Sequence, residues 1–192
     1  MRSTPDAATA IATGRQDTGG AVRPATAADL PSVAALCAAH AAFERAAPPA
    51  AGLAVRLEHH LFSPSPRAWC LVAEDGGELV GYATYALEFS TWSGAEYIHL
   101  DCLFVSAPHR GSGWGGRLFR AVREAAGAAG APRMEWQTPH WNEDAIRFYD
   151  RTGAVSGLKA RYTLGPAAPG VPAGPTLPGR PGSDQEGKRA RP

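Results

Sequence analysis

The chain has 192 residues, 44% of them hydrophobic, and 19 basic residues stand against 18 acidic for a formal charge of +1. That length suits one domain, and the apolar content suffices for a packed core. The charge balance argues against a nucleic-acid partner held by a broad basic face, and the short run Lys188-Arg189-Ala190-Arg191 reads as a solvated end.

Residues 1–20 are small and polar, without the apolar stretch of a secretory leader, and are expected to be a disordered arm. Ala21 to Pro24 reads as a short strand. Thr26-Ala27-Ala28-Asp29 is a capping box that opens a helix through about Ala46. A second, shorter helix is expected over 52–62. Trp69 to Glu74 and Leu79 to Phe89 are apolar runs joined by Asp75-Gly76-Gly77, which predicts an antiparallel hairpin. A loop over 90–94 leads to a strand from Tyr97 to Val105. Leu118, Phe119, Val122, Ala125 and Ala126 then recur at helical spacing within 117–126. Arg133 to Gln137 is a short strand, Asn142 caps a helix carrying Ala145, Ile146, Phe148 and Tyr149, and Gly153 ends it. Val155 to Leu164 is expected as a closing strand. From Gly165 the chain turns to Pro and Gly, with Pro166, Pro169, Pro172, Pro175, Pro178 and Pro181 at intervals of three, so 166–192 is expected to be a disordered tail. The working domain is 21–165, an α/β domain in which antiparallel strands precede a parallel pair.

Cys37, Cys70 and Cys102 are odd in number and set in apolar sequence, which fits reduced core thiols better than a disulfide framework or a metal centre. His59 and His60 are adjacent and would face different ways, so no metal site is expected. With no stretch of eighteen apolar residues, the expectation is a soluble, cytoplasmic protein without a membrane association.

The segment His109-Arg110-Gly111-Ser112-Gly113-Trp114-Gly115-Gly116 follows a strand and opens a helix. Gly111, Gly113 and Gly115 let backbone approach a ligand closely, and the helix presents unpaired N–H groups at its positive end. Such a place suits a diphosphate, to which Arg110 could add charge. Gly111-x-Gly113-x-x-Gly116, with Glu135 about twenty residues on, also matches a dinucleotide fingerprint. That fold, however, needs a parallel series rather than three antiparallel strands. No Gly-Lys-[Ser/Thr] follows, which excludes a triphosphate loop, and a plain glycine turn before a helix remains the unadorned alternative.

Arg110-x-x-Gly113-x-Gly115 resembles the Arg/Gln-x-x-Gly-x-Gly/Ala motif of the GNAT acetyltransferase superfamily. Tyr97 to Val105 resembles the strand before it, and Trp141-Asn142-Glu143-Asp144-Ala145-Ile146-Arg147-Phe148-Tyr149 is similar to the family's later motif. Together with the region around Trp92, these segments look most like the spermidine/spermine N-acetyltransferase branch, and the resemblance covers 22–164. It implies a GNAT-like single domain with a mixed, largely antiparallel sheet, a splayed parallel pair and about four flanking helices. It also implies acetyl-CoA as co-substrate, a small-molecule amine as acceptor and, in similar proteins, frequent homodimers.

The resemblance assigns acetyl-CoA to the backbone of Leu103, Phe104 and Val105, to Arg110, Gly111, Ser112, Gly113, Trp114, Gly115 and Gly116, and to Asn142 and Ala145. Amine attack on a thioester needs a neutral amine, a polarised carbonyl and a protonated leaving thiolate, with no metal or covalent intermediate. Tyr149 is the candidate general acid, since a phenol of pKa about 10 is matched to a departing alkyl thiolate. Packing beside Phe148 is its bland alternative. Asp101 is the candidate base, through a water; it stands where the polyamine branch has glutamate, with Cys102 where that branch has another acid. A structural pairing with arginine would equally account for Asp101. Phe43 and Glu44 resemble the family's acceptor-site aromatic–acid pair, and Glu135, Trp136 and Gln137 align with a segment lining that pocket. Trp92 and Trp136 could stack on a cationic amine, although burial is the usual fate of a lone tryptophan. Transfer to a polyamine or diamino acid is therefore expected. The alternatives are transfer to aminoglycoside-like or protein N-terminal amines, or a non-catalytic acyl-CoA-binding module.

Overall fold

The structure, a computed structural model, describes residues 20–164. The expectations for the N-terminal arm, apart from its last residue Gly20, and for the Pro-rich tail lie outside the described residues. Strand β1 (Ala21–Pro24) leads through a 3-10 turn (Ala27–Asp29) to helix α1 (Leu30–Phe43), followed by α2 (Leu53–Leu61). Strands β2 (Trp69–Asp75), β3 (Glu78–Ser90) and β4 (Ala95–Val105) come next, then α3 (Trp114–Ala128), β5 (Met134–Trp136) and α4 (Glu143–Asp150).

The five strands lie in the order β1-β2-β3-β4-β5, and every neighbouring pair is antiparallel except β4·β5, which is parallel. The hairpin turn at Asp75-Gly76-Gly77 sets the register of β2 against β3. On one face of the sheet Leu71, Val80, Ala83, Ile98 and Leu100 pack with Leu118, Phe119 and Val122 of α3. On the other, Cys70, Val72, Tyr82 and Phe104 pack with Leu30, Val33 and Leu36 of α1. Period-two alternation in the strands, shifted by one residue at bulges that leave Val80 and Asp101 unpaired, and 3.6-residue spacing in the helices account for both layers.

The ends of α1 are set locally. At its start Thr26 and Asp29 form the predicted capping box, with the Thr26 N–H donating to Asp29 Oδ2 at 2.7 Å. The box opens a 3-10 turn before the α-helix proper. At its end the helix stops at Phe43, short of Ala46, because Arg45 takes the left-handed conformation at φ 58°. The Arg45 N–H then reaches Ala42 O at 3.2 Å, and the Ala46 N–H reaches Ala41 O at 2.9 Å. This double closure satisfies the last carbonyls, at a cost of about 1 kcal/mol for a non-glycine in that conformation.

Residues 150–164 are a unit of their own. The Gly153 N–H donates to Asp150 O at 3.2 Å, and Gly153 at φ 80° ends the helical path. The predicted closing strand over 155–164 is corrected here: these residues form neither helix nor strand, and Val155, Leu158, Tyr162 and Leu164 are exposed. Only those four of the ten are large and apolar, Gly157 and Lys159-Ala160-Arg161 break their alternation, and a strand requires a ladder partner that they do not find.

Candidate functional site

The glycine segment joins β4 to α3. A 3-10 turn (Ala107–His109) leads into it, and Ser106 Oγ lies 2.9 Å from His109 Nδ1. Gly111 and Gly113 have φ values of 78° and 90°, and nothing lies within 4 Å of where a Cβ would stand on either. Gly113 caps α3, so the helix begins at Trp114, three residues before the apolar spacing indicated. The N–H groups of Trp114, Gly115 and Gly116 thus face outward from a fifteen-residue helix, next to bare backbone. An extended diphosphate fits such a cradle. The Trp114 side chain is 4% exposed in the core, so only its backbone can meet a ligand there. Ser112 Oγ donates to the His109 carbonyl and tightens the loop.

Arg110 does not extend over the glycines. Its Nε donates to Val105 O at 3.0 Å, and its guanidinium lies 4.2 Å from the Phe43 ring centroid and 5.4 Å from that of Phe104. The Val105 carbonyl therefore turns away from β3. By the alternation of an antiparallel ladder Leu103 turns the same way, whereas Phe104 turns toward β3.

That outward edge is open, because β5 pairs with β4 only at Ile98, His99 and Leu100. Beyond Leu100 the two parallel strands separate. The separation coincides with a bulge: Thr84 pairs with Cys102 and Tyr85 with Leu100, leaving Asp101 without a partner. A bulge bends its strand and re-aims a side chain. Asp101 Oδ2 comes 3.5 Å from Thr84 Oγ1 and 3.7 Å from Cys102 Sγ, and no arginine pairs with it among the described residues.

Tyr149 packs on the other side of the opening. Its ring lies 5.2 Å from Trp136, 5.9 Å from Phe119 and 5.1 Å from Phe148. Burial, and then the charge of Glu44, push its phenol up to about 12. Glu44 and Cys102 both act on this phenol, so the end of α1, the bulge and α4 converge there. Asn142 caps α4 through Oδ1 to the Ala145 N–H at 3.2 Å, which engages both residues in the helix start. Trp141, just before that cap, lies 5.8 Å from Phe43 and 4.8 Å from the Arg45 guanidinium.

Other expected acceptor residues are placed differently. Glu135 is held by Arg133 at 2.7 Å, which also reaches Ser93 Oγ at 3.0 Å, and Gln137 is exposed beyond β5. Trp136 is half-buried between Phe119 and Tyr149, whereas Trp92 is fully exposed at the β3–β4 turn, contrary to the usual burial of tryptophan. Cys37 and Cys102 are half-buried free thiols and Cys70 a buried one, and burial raises all three. Sequence reasoning missed His40, which lies one helical turn before Glu44; their four-residue spacing on α1 was the available signal.

The model of the Acetyltransferase (GNAT) family matches residues 34–154. The Uncharacterized N-acetyltransferase YhfO of Bacillus subtilis (strain 168) is 33% identical over 69% of this chain and 87% of its own length. The thialysine N-epsilon-acetyltransferase of Sus scrofa is 33% identical over 48% of this chain, and the match spans only 59% of that enzyme. Among solved structures, a possible acetyltransferase from Clostridium difficile 630 superposes with a TM-score of 0.66 at 16% identity, over 78% of this chain and 99% of its own. That likeness carries the fold.

Proposed function

The chain belongs to the acetyltransferase (GNAT) family, and from that premise we propose that it carries the acetyl group of acetyl-CoA directly to a primary amine of a small cationic acceptor. One observation carries this reading: the opening between β4 and β5 runs from the Asp101 bulge to the glycine cradle, with the Tyr149 phenol beside it. A donor lying along Leu103 to Val105 would place its diphosphate at Gly111–Gly116 and its thioester beside Tyr149. Relatives support an amine acceptor, since they include enzymes named for thialysine, D-amino acids and L-ornithine.

In this reading Leu103 and Val105 bind the pantetheine amides through backbone, and a backbone N–H at Leu103 polarises the thioester carbonyl. Glu44 holds the acceptor ammonium, and Asp101 takes its proton through a water. As the neutral amine adds, the N–C bond forms and the C–S bond breaks. Tyr149 gives its proton to the departing thiolate and regains one from the nitrogen. The net products are amide, free thiol and one proton. Holding both substrates in one complex supplies much of the rate.

The test is thiol release from acetyl-CoA across diamines, lysine analogues, aminoglycosides and peptides with free N-termini. Release above hydrolytic background for a diamine or diamino acid supports the reading. Acetyl-CoA binding without release to any amine supports a non-catalytic acyl-CoA-binding module instead.

A further inference from the structure

His40 lies on α1 with its ring stacked on Phe104 at 5.0 Å and 22° between planes, and edge-on to Tyr82 at 6.1 Å. Its two nitrogens have different partners. Nδ1 is 3.1 Å from Tyr82 Oη, and Nε2 is 3.3 Å from Glu44 Oε1. Tyr82 is 1% exposed, and burial holds its phenol protonated far above the usual range. A buried O–H that keeps its proton must donate, and imidazole Nδ1 is a stronger acceptor than the Cys37 and Cys102 sulfurs that also hydrogen-bond to this hydroxyl. Donation to Nδ1 leaves the imidazole proton on Nε2, facing the Glu44 carboxylate.

This matters because Glu44 sits just beyond the last helical residue, and its carboxylate meets the His40 ring one turn back in the helix. It is also the carboxylate whose charge reaches the Tyr149 phenol. The charged and titratable groups around the imidazole are Glu44 on its own helix and Tyr82 on β3. The Cys37 and Cys102 thiols stand beyond Tyr82, and Arg110 lies over Phe104.

We propose that Tyr82, His40 and Glu44 form a positioning chain, in which the Tyr82 hydroxyl sets the His40 tautomer and His40 locks the Glu44 carboxylate as the anchor for the acceptor ammonium. The inference rests on the acetyl-transfer reading and adds the residues that determine acceptor affinity. A donor from His40 to an ionised carboxylate is a charge-assisted hydrogen bond, of the kind whose loss is felt as about a tenfold change in binding. The Phe104 ring beneath the imidazole and the buried phenol behind it leave the ring one orientation, so Glu44 is held before the acceptor arrives.

The experiment is steady-state kinetics with acetyl-CoA and the most active amine of the screen above, for His40→Ala, His40→Gln and Tyr82→Phe, each with and without Glu44→Gln. The expected result is an acceptor KM raised about tenfold in His40→Ala, with the acetyl-CoA KM unchanged. Gln, which keeps an N–H donor, restores most of the loss, and Tyr82→Phe falls between. In the Glu44→Gln background the His40 substitution adds nothing, because the carboxylate it positions is gone. Equal losses with and without Glu44, or an acetyl-CoA KM that rises as much as the acceptor's, would show His40 to be packing only and overturn the chain. Should His40→Ala fail to fold, the Tyr82→Phe and Glu44→Gln cycle asks the same question. No transfer by the wild-type chain to any amine is a different failure: it removes the acetyl-transfer reading and the anchor with it.

Discussion

The guanidinium of Arg110 lies 4.2 Å over the ring of Phe43, and its Nε donates to Val105 O at 3.0 Å. One side chain thus ties the strand and loop proposed for the donor to the last turn of α1, which carries the proposed acceptor anchor. Phe43 in turn meets Trp141 at 5.8 Å, so β4, α1 and the segment before α4 share one stack.

Phe43→Ala should therefore weaken both substrates while leaving the fold intact. An exposed cation–π contact contributes about 0.5–1 kcal/mol, which for a domain of this size lowers the melting temperature by roughly 1–4 °C. Michaelis constants for acceptor and acetyl-CoA should rise together by several-fold, because Phe43 supports Arg110 on its ring and directly precedes Glu44 at the helix end. A change confined to the acceptor would separate the two sites.

Tyr149→Phe removes one oxygen from a ring that Trp136, Phe119 and Phe148 already hold. Turnover should fall by about 10²-fold or more, with acetyl-CoA affinity retained. The phenol, pushed up to about 12, stays protonated throughout neutral and mildly alkaline pH, so this group imposes no alkaline loss of rate there. Stability follows the same shift. Below pH 10 the tyrosine is protonated in both folded and unfolded chains; between 10 and 12 only the unfolded one ionises, and stability falls. Urea unfolding at pH 9 and pH 11 should show a smaller decline in the phenylalanine variant.

Much of this was legible in the sequence. The strand before the glycines, the cap at Asn142 and the pairing of β2 with β3 are local signals, each carried by residues a few positions apart. The features that give the site its shape are not local. The bulge exists only as a mismatch between Thr84-Tyr85 and Leu100-Cys102. The link from His40 to Tyr82 joins residues 42 apart in the chain. Trp92 and residues 155–164 failed in the opposite direction, since apolar or aromatic composition alone cannot say whether a partner surface exists.

Arg23 makes a bidentate pair with Asp29, at 2.7 and 2.9 Å, and also reaches Glu74 at 2.7 Å, locking β1 to β2 and to the start of α1. Hydrogen bonding to Arg23, opposed by desolvation and aided by Thr26, holds the Asp29 carboxyl well below the usual carboxylate range. A carboxyl depressed in the folded state stabilises above its unfolded value of about 4, and that contribution is lost as pH falls below it. Asp29→Asn should cost about 1 kcal/mol at pH 7, read by chemical denaturation. The gap to wild type should narrow as pH is lowered from 5 toward 2. A pH-independent gap would assign the effect to packing.

Gly113 stands at φ 90° with open space around its Cβ position, so Gly113→Ala meets no clash and acts through backbone conformation alone. Alanine in that region costs about 1–2 kcal/mol, which the loop can relieve by rotating away from it. Such rotation would turn the Trp114 and Gly115 N–H groups, the proposed seat of the diphosphate. Acetyl-CoA affinity should fall about tenfold by calorimetric titration, with a melting shift of only a few degrees. Affinity for the acceptor, measured at saturating acetyl-CoA, should hold, because Glu44 and Asp101 sit on other elements. Unchanged acetyl-CoA affinity in a folded Gly113→Ala protein would move the diphosphate out of this loop, and with it the alignment of the thioester on Tyr149.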